Sequence, residues 1–392
     1  MGVDMKPFKI IFGSDFAPIR KFAPLMAAKP EAVYGDLLPI LRAADHRIVN
    51  LESPLDPGTG FIVKSGAAFT GSPEHIASLE AGCFDVAVMA NNHTFDCGNA
   101  GFFATCELLK KHGIAAVGAG KDLSEARRPL FIEAESVKIA LFAISEGEDM
   151  RGATGDAPGV RPWEVEALAE DIRRAKEAGA VVIVSAHCGL EYQPYPSFYV
   201  YEAFRTWAQT GADIIVGHHP HVPQGMANFG GTPAYFSLGN FVFYQPVKNF
   251  YRKLGYMLEI TVADGRVAAH RPIPYRIGAD GLRLLAGNEV EEFGKLFDRL
   301  SAPLVDADRA REAWHAVLAC NGIAGFRAEL ENILDKLRTD PPHGAAMLRN
   351  RVRCMQHLTQ WSDGMTRIAD GTIENAPAEL VATVRDFLTR EV

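Results

Sequence analysis

The stretch from residue 213 to residue 221, with the sequence DIIVGHHPH, joins a short apolar run to three histidines. The apolar run is typical of a buried strand, and Gly217 ends it directly before His218, His219 and His221. In an open α/β sheet, ligands bind beyond the carboxyl ends of the strands. The stretch therefore predicts an α/β protein whose functional site lies where its strands end.

Other apolar runs along the chain end in the same way. Short runs that favour strands alternate with helical segments over roughly the first 275 residues. A lone polar residue after a strand usually belongs to a turn, but a series of them indicates a shared site. Six runs are followed by such residues: Asp15 after Phe8–Phe12, Glu52 after His46–Val49, Asn91 to Asp96 after Asp85–Ala90, His187 and Glu191 after Ala180–Ser185, the histidines after Asp213–Val216, and Asn240 after Tyr235–Phe236.

The character of the chain changes near Gly281. Beyond it, charged segments with helical spacing predict helices over Val290–Leu300, Asp306–Ala319, Phe326–Leu337 and Pro377–Arg390. We therefore predict an α/β domain over residues 1–278 and a helical region over residues 279–392. The first of these helices would present one apolar face, made of Phe293, Leu296, Phe297 and Leu300. We expect this region to dock on the α/β domain near the mouth of the site.

The residue types at the strand ends suit a metal site. Carboxylates, imidazoles and amide oxygens are ligands for hard or borderline divalent cations. The six cysteines are scattered, and none belongs to this set, which argues against a structural zinc site. Two cations about 3.5–4 Å apart can activate water and stabilise an anionic transition state. His93 is then left for proton transfer, with Asp96 three residues on to orient its ring.

Composition excludes several classes of protein. Hydrophobic residues make up 48% and charged residues 22%, which is typical of a globular chain rather than a disordered one. The net charge of −8 argues against broad nucleic-acid binding. No apolar run has the roughly 18 residues needed to cross a bilayer, and the N-terminus shows no signal-peptide pattern. With its scattered thiols, the chain is expected to be cytoplasmic and not inserted in a membrane.

As a set, these motifs resemble the bacterial capsule-synthesis family called CapA, which is associated with poly-γ-glutamate production. The matching pieces run in family order from residue 8 to about residue 275: Gly13-Ser14-Asp15, Asn50-Leu51-Glu52, Ala90-Asn91-Asn92-His93 with Asp96 and Gly98, His187-x-Gly189-x-Glu191-Tyr192, Gly217 to Val222, and Ser237 to Phe241. The resemblance implies a calcineurin-like metallophosphoesterase sandwich, with two mixed β-sheets flanked by helices around a dinuclear metal site.

The resemblance also implies a role for each residue of the site. The first metal would be bound by Asp15 and His221, the second by Asn92, His187 and His219, with Glu52 as the bridging carboxylate. His93 would be the acid that protonates the leaving group. Phosphoesterases of this fold place a histidine two residues after the first aspartate, where this chain has Ala17. We therefore expect the first ion to bind more weakly than the second.

Three functions remain open at this stage. The first is a hydrolase of phosphoester or amide bonds in an anionic or peptide-like substrate. It would use one or two Mn²⁺, Zn²⁺ or Fe ions, with Mg²⁺ or Ca²⁺ as further options. The second is a peptide epimerase in which His93 acts as acid and base, and the third is a non-catalytic accessory subunit of a polymer-synthesis complex. The expected partner is a small-molecule or peptide substrate, and a homodimer is left open.

A separate set of residues is predicted to bind the substrate. Its members are Lys64, Arg151, Glu191, Tyr192, His218 and Asn240. Arg151 begins the Gly- and Pro-rich segment Arg151–Pro162, whose composition predicts a long functional loop.

Overall fold

The computed structural model describes residues 7–134, 137–146 and 151–392. The strands in these ranges are β1 (Phe8–Phe16), β2 (His46–Leu51), β3 (Val86–Val88), β4 (Ala115–Val117), β5 (Ala119–Gly120), β6 (Leu130–Ala134), β7 (Val137–Ser145), β8 (Gly159–Val160), β9 (Val181–His187), β10 (Ile214–His218), β11 (Met226–Phe229), β12 (Thr232–Tyr235), β13 (Leu254–Ala263), β14 (Arg266–Ile277) and β15 (Leu282–Leu284). The α-helices are α1 (Phe22–Ala28), α2 (Leu38–Ala43), α3 (Ile76–Ala81), α4 (Gly98–Lys111), α5 (Leu123–Ala126), α6 (Val165–Glu177), α7 (Phe198–Gln209), α8 (Asn288–Ser301), α9 (Ala307–Thr339), α10 (Pro341–Arg353), α11 (Met355–Ala369) and α12 (Ala378–Thr389).

Two mixed sheets form the centre of the molecule. The larger has the order β15-β14-β13-β1-β2-β3-β4, in which β1 to β4 run parallel and β13 to β15 are antiparallel additions. The smaller has the order β11-β12-β10-β9-β7-β6, with antiparallel strands only at its two edges. The expected fold class, two mixed sheets flanked by helices, is confirmed.

Alternation along the strands places the apolar core on both sides of each sheet. In β1, Ile10 and Phe12 share one core with Ile183 of β9, so they lie between the sheets. Ile11, which points the other way, packs in a second core with residues of helices α1 to α4. In β9, Val182 packs in a third core with residues of α6 and α7. Because side chains alternate with a period of two, strands covered on both faces are apolar throughout.

The helices that follow β15 share the same core as the two sheets. Phe293 and Leu300 of α8 and Trp314 of α9 are buried in the cluster that fills the space between the sheets. The prediction that the C-terminal region docks on the α/β part is therefore confirmed. β15 lies beyond residue 278 and pairs with β14, so the larger sheet extends past the boundary proposed from the sequence.

Several predicted elements need correction. The two helices predicted over Asp306–Ala319 and Phe326–Leu337 are one helix, α9, with a non-helical residue at Gly322. The sequence did not predict α10, α11, β11 or β15. The predicted strand Leu130–Glu135 ends at Ala134 in β6, and Glu135 lies outside the described residues.

Two further observations concern loops and helices. Within the predicted loop Arg151–Pro162, β8 pairs with β5, and the backbone carbonyl of Arg151 accepts a hydrogen bond from the Val160 amide at 2.9 Å. In the part of the chain that the structure describes, none of the helices combines the length and apolarity that spanning a bilayer requires.

Candidate metal centre and substrate cavity

The candidate site lies where the carboxyl ends of both sheets meet. Asp15 lies near the end of β1 and Glu52 directly after β2, both in the larger sheet. His187 ends β9, and His219 follows β10 in the smaller sheet. The pairing of β1 with β2 shifts register between Phe12 and Asp15. Such irregularities reorient a side chain next to active sites, and here the shift precedes the first carboxylate.

Two buried carboxylates form the floor of the site. Asp15 and Glu52 are fully buried. Asn50 Nδ2 donates to Asp15 Oδ1 at 2.9 Å. No described residue donates a hydrogen bond to Asp15 Oδ2 or to either carboxylate oxygen of Glu52. A buried carboxylate without donors is costly unless a cation compensates its charge, so these oxygens fit a bound metal ion.

The surrounding groups shift the pKa values of the two acids in opposite directions. Burial raises the pKa of Asp15, but hydrogen bonds and charges from His218 and His221 outweigh burial and hold this pKa well below its usual value. Burial, followed by repulsion from Asp15 and Glu191, raises the pKa of Glu52 well above its usual value. Asp15 is therefore the standing negative charge of the site, and Glu52 is the acid whose ionisation requires a cation.

The histidines complete the ligand set. One ligand atom each of Glu52, His219 and His221 lies within 4.8 Å of the others. His187 Nε2 lies 3.5 Å from Glu52 Oε1 and 2.9 Å from Asn92 Oδ1. Burial, and then the charge of His219, lowers the pKa of His187 well below its usual value, which keeps the ring neutral as a ligand must be. The structure thus brings all six predicted ligands together.

Strained backbone accompanies these side chains. His219 has a φ of 99° and His221 a φ of 57°, and Tyr192 beside them has a φ of 63°. Non-glycine residues rarely adopt positive φ, and such conformations cluster at functional sites because the surrounding structure must enforce them. The loop after β10 is therefore held for the placement of its imidazoles.

Ala17 lies where the resemblance would place a further histidine. It is fully buried, its amide donates to the Val242 carbonyl at 2.8 Å, and its methyl group packs in a small apolar cluster with Ile19 and Phe243. An imidazole is replaced here by an apolar contact. The expectation of a weaker first metal thus stays a prediction.

His93 and Asp96 form a hydrogen-bonded pair at the edge of the site. His93 Nδ1 lies 2.7 Å from Asp96 Oδ2, and Lys64 Nζ donates to Asp96 Oδ1 at 2.9 Å. Burial raises the pKa of Asp96, but His93 and then Lys64 lower it below its usual value. Asp96 therefore stays ionised and orients the imidazole. Lys64 is buried, and it positions Asp96 rather than facing the cavity as an anion contact.

A cavity of about 450 Å³ opens above the centre. It exposes predicted site residues of three kinds, namely the ligands Asn92 and His221, the acid His93, and the substrate contacts Glu191 and Tyr192. Residues without a predicted role also line it, and these include Arg20, Phe69, Gln245, Arg351, Gln356 and Gln360. The mouth of the site is therefore shared between the α/β part and helices α10 and α11, as expected for the C-terminal region.

Three of the predicted substrate contacts have other surroundings. His218 is fully buried, with Nδ1 3.5 Å from Asp15 Oδ1. Asn240 Oδ1 lies 2.9 Å from His221 Nδ1, so this amide orients a candidate ligand. Arg151 lies outside the described lining of the cavity.

The supporting amides Asn50 and Asn91 were missed, although they lie within the quoted motifs. Asn50 bonds Asp15, and Asn91 Nδ2 donates to Asn50 Oδ1 at 3.1 Å. Asn91 Oδ1 also accepts from the His93 amide at 3.1 Å. One chain of hydrogen bonds therefore links the metal floor to the proton-transfer residue. Their position beside the predicted ligands was the signal that could have identified them.

Fold and site together define an α/β sandwich protein with a buried carboxylate–histidine centre beneath a polar cavity. The chain belongs to the bacterial capsule synthesis protein PGA_cap family, whose model matches residues 9–245. The PGA biosynthesis protein CapA of Bacillus subtilis (strain 168) is 33% identical over 221 residues, which cover 55% of this chain and 57% of that protein. A polyglutamine synthesis accessory protein of Mycobacterium tuberculosis is 27% identical over 293 residues, which cover 68% of this chain and 76% of its own length.

The chain spans only about half the length of the two Bacillus relatives, with 57% and 54% covered. Among solved structures, NAD nucleotidase of Haemophilus influenzae aligns with 74% of this chain and 62% of its own. The identity is 16% and the TM-score 0.43. A 5'-nucleotidase precursor of Thermus thermophilus aligns with 76% and 59%, at 14% identity and a TM-score of 0.42.

Proposed function

We propose that this protein is a metal-dependent hydrolase of amide or phosphoester bonds in an anionic substrate, acting in capsule or poly-γ-glutamate metabolism. The observation that carries the proposal is the pair of buried acids, Asp15 and Glu52, whose oxygens lack hydrogen-bond donors among the described residues. Three histidine rings surround them, and the cavity reaches their edge through His221. The printed names of the relatives supply the metabolic context.

The residues that would hold one or two divalent ions are Asp15, Glu52, Asn92, His187, His219 and His221. A Mn²⁺, Zn²⁺ or Fe ion bound there would polarise the scissile carbonyl or phosphoryl group and lower the pKa of water. Asp15 would supply permanent charge because its pKa is low. Asn240 and Asn50 would keep His221 and Asp15 in place through their hydrogen bonds.

His93 would donate a proton to the leaving group from Nε2. Its Nδ1 atom faces the Asp96 carboxylate, which stabilises the protonated ring. Phe69 stacks on the imidazole with 3.8 Å between ring centroids and fixes its plane. His93 lines the cavity, so a substrate there would meet the ring directly.

A second candidate function is peptide epimerisation. The packing of Ala17 among apolar residues favours it, because that position supplies no imidazole for a two-metal hydrolytic centre. Bound metal would then serve to polarise an amide carbonyl, and His93 would remove and return the neighbouring Cα proton. The residues in the cavity would be the same, and only the fate of the substrate would differ.

One experiment separates these functions. Purified protein reconstituted with Mn²⁺, Zn²⁺ or Fe is incubated in heavy water with an acidic peptide and, separately, with an aryl phosphate. Cleavage of either compound supports the hydrolase, and deuterium uptake into an intact peptide supports the epimerase. Metal bound without turnover of either compound contradicts both and leaves the accessory-subunit function. An Asp15→Asn variant provides the control for adventitious activity.

A further inference from the structure

The wall of the cavity opposite the α/β part is built by the last helices of the chain. Arg351 of α10 and Gln356 and Gln360 of α11 line the same cavity as His93 and His221. These three residues, here called the roof, lie outside residues 9–245, which carry the family match. The metal floor and the roof therefore come from separate parts of the chain.

The roof is fastened on both sides of the cavity. The amide of Gln356 donates to Glu146 Oε2 at 3.1 Å. Glu146 Oε1 in turn accepts from the Gly189 amide at 3.0 Å and from the Tyr199 hydroxyl. On the other side, His343 Nε2 lies 3.1 Å from the carbonyl oxygen of Ser65, next to residues that line the cavity. These contacts hold the roof at a fixed height above the site.

Arg351 is prepared for an anion. Its Nε atom donates to Glu329 Oε1, and Glu329 Oε2 accepts from Trp361 Nε1 at 2.9 Å. The side chain is only 17% exposed, so its orientation is fixed by packing as well as by the ion pair. A guanidinium held through Nε presents its terminal N–H groups as a planar fork that suits carboxylate or phosphate oxygens.

The other lining residues point to the same class of ligand. Arg20 adds a second cation, and Glu191 is the one carboxylate among the described lining residues. Glu191 Oε1 lies 3.8 Å from His221 Nε2, so its charge faces the metal side rather than the roof. Gln356 and Gln360 each offer a donor and an acceptor, which matches the amide groups of a peptide-like chain.

We propose that the roof determines substrate specificity: Arg351 binds an anionic group of the substrate, and Gln356 and Gln360 contact its neighbouring amides. The inference rests on the proposed function, which supplies the reacting centre below. It assigns to the C-terminal helices the selection of an acidic chain, while the α/β part supplies the chemistry. The anionic group is a carboxylate or a phosphate, and the test distinguishes the two.

The test is a binding measurement that needs no turnover. A blocked peptide of glutamate residues is titrated into the metal-loaded protein by calorimetry. Arg351→Gln should weaken its binding roughly tenfold to hundredfold, because a charge-assisted hydrogen bond is lost. Arg353→Gln, an exposed change two residues on, should leave binding unaltered. The same peptide with glutamine in place of glutamate should bind the unaltered protein as weakly as the acidic peptide binds Arg351→Gln.

Inorganic phosphate provides the second arm. If phosphate displaces the acidic peptide from the unaltered protein, the fork accepts phosphate. If it does not, the fork is assigned to carboxylates. Equal binding of the acidic peptide by Arg351→Gln and the unaltered protein, at unchanged melting temperature, would overturn the inference, as would the absence of binding to the unaltered protein. Arg351→Lys, which keeps the charge, should recover part of the affinity and separates a binding role from a folding defect.

The two proposals fail in different ways. A protein that binds the acidic peptide through Arg351 but cleaves neither substrate contradicts the hydrolase and retains the roof. A protein that cleaves its substrate with the same KM after Arg351→Gln contradicts the roof and retains the hydrolase.

Discussion

His93 Nδ1 lies 2.7 Å from Asp96 Oδ2, although only two residues separate them in the chain. The loop after β3 turns back on itself so that both side chains meet at the cavity edge. Phe69 covers the imidazole on one face, and its own amide donates to Asp96 Oδ2 at 2.9 Å. The ring is thus oriented by a carboxylate and an aromatic face, which suits a proton-transfer group better than a packing residue.

Replacing His93 by glutamine should remove most turnover and little else. Glutamine keeps the approximate size of imidazole and some hydrogen bonding, but it cannot transfer a proton, an effect worth typically ~10²–10⁴-fold in rate. Metal content and melting temperature should stay at the level of the unaltered protein. Turnover and elemental analysis of the same preparations provide the measurement.

The matched control is His112→Gln, because His112 is paired with Glu80 at the surface, 2.7 Å away, and should not affect turnover. Loss of metal in His93→Gln would make His93 a ligand. Near-normal turnover with metal retained would remove it from the mechanism.

Glu52→Gln should abolish tight metal binding without destabilising the metal-free protein. The Glu52 carboxylate is fully buried and lacks donors among the described residues, and burial raises its pKa well above the usual value. A neutral amide removes the cost of burying a charge, so the metal-free variant should melt at the same or a higher temperature. Elemental analysis and thermal denaturation after chelation measure the two effects.

The exposed change Glu133→Gln serves as the control and should alter neither quantity. Retention of the full metal content by Glu52→Gln would contradict the assignment of this residue as a ligand. A large fall in the melting temperature of the metal-free variant would instead indicate a structural role.

The floor of the site could be predicted because its ligands follow a local rule. Asp15, Glu52 and His219 each lie at or just after the end of an apolar strand, and parallel strands bring such ends to one edge. Lys64 followed no such rule, since its partner Asp96 lies 32 residues away and only the fold brings them together. The roof residue Arg351 belongs to no motif, and its place depends on how α10 packs.

The helices that were missed lack clear sequence signals. In α10, the start Pro341-Pro342 and Gly344 weaken the helical pattern, and in α11 Gly364 interrupts it. In α9, Gly322 and Gly325 divide the apolar pattern, so two helices were expected where one bent helix forms. Tertiary packing supplies what these segments lack in propensity.

The packing of α11 against α9 gives a prediction on stability. A Cβ atom added at Gly364 would lie 2.1 Å from Cζ of the buried Phe326 ring, which itself packs on Trp361. Gly364→Ala should therefore lower the free energy of unfolding by roughly 1–3 kcal/mol through overpacking, despite the better helix propensity of alanine.

Gly294 in α8 is the matched site, because a Cβ atom there meets nothing within 4 Å. Gly294→Ala should raise the free energy of unfolding by roughly 0.5–1 kcal/mol. Chemical denaturation of the two variants measures both changes, and effects of the same sign would contradict this account of α11.

The last prediction concerns Lys253, which lies under the cavity wall. Its Nζ atom donates to the carbonyl of the lining residue Gln245. Burial lowers the pKa of Lys253 to about 8, and the charges of Arg252, Lys21 and Arg20 act in the same direction. In the unfolded chain the group titrates near its ordinary value of 10.5. Between these two values the unfolded state binds more protons than the folded state, so the contribution of Lys253 to the free energy of unfolding increases as the pH rises from about 8 to about 10. Lys253→Met should remove that increase, whereas the exposed control Lys248→Met should keep it. Chemical denaturation at several pH values across this window provides the measurement. An identical dependence on pH in Lys253→Met and the unaltered protein would show that Lys253 has an ordinary pKa in the folded state.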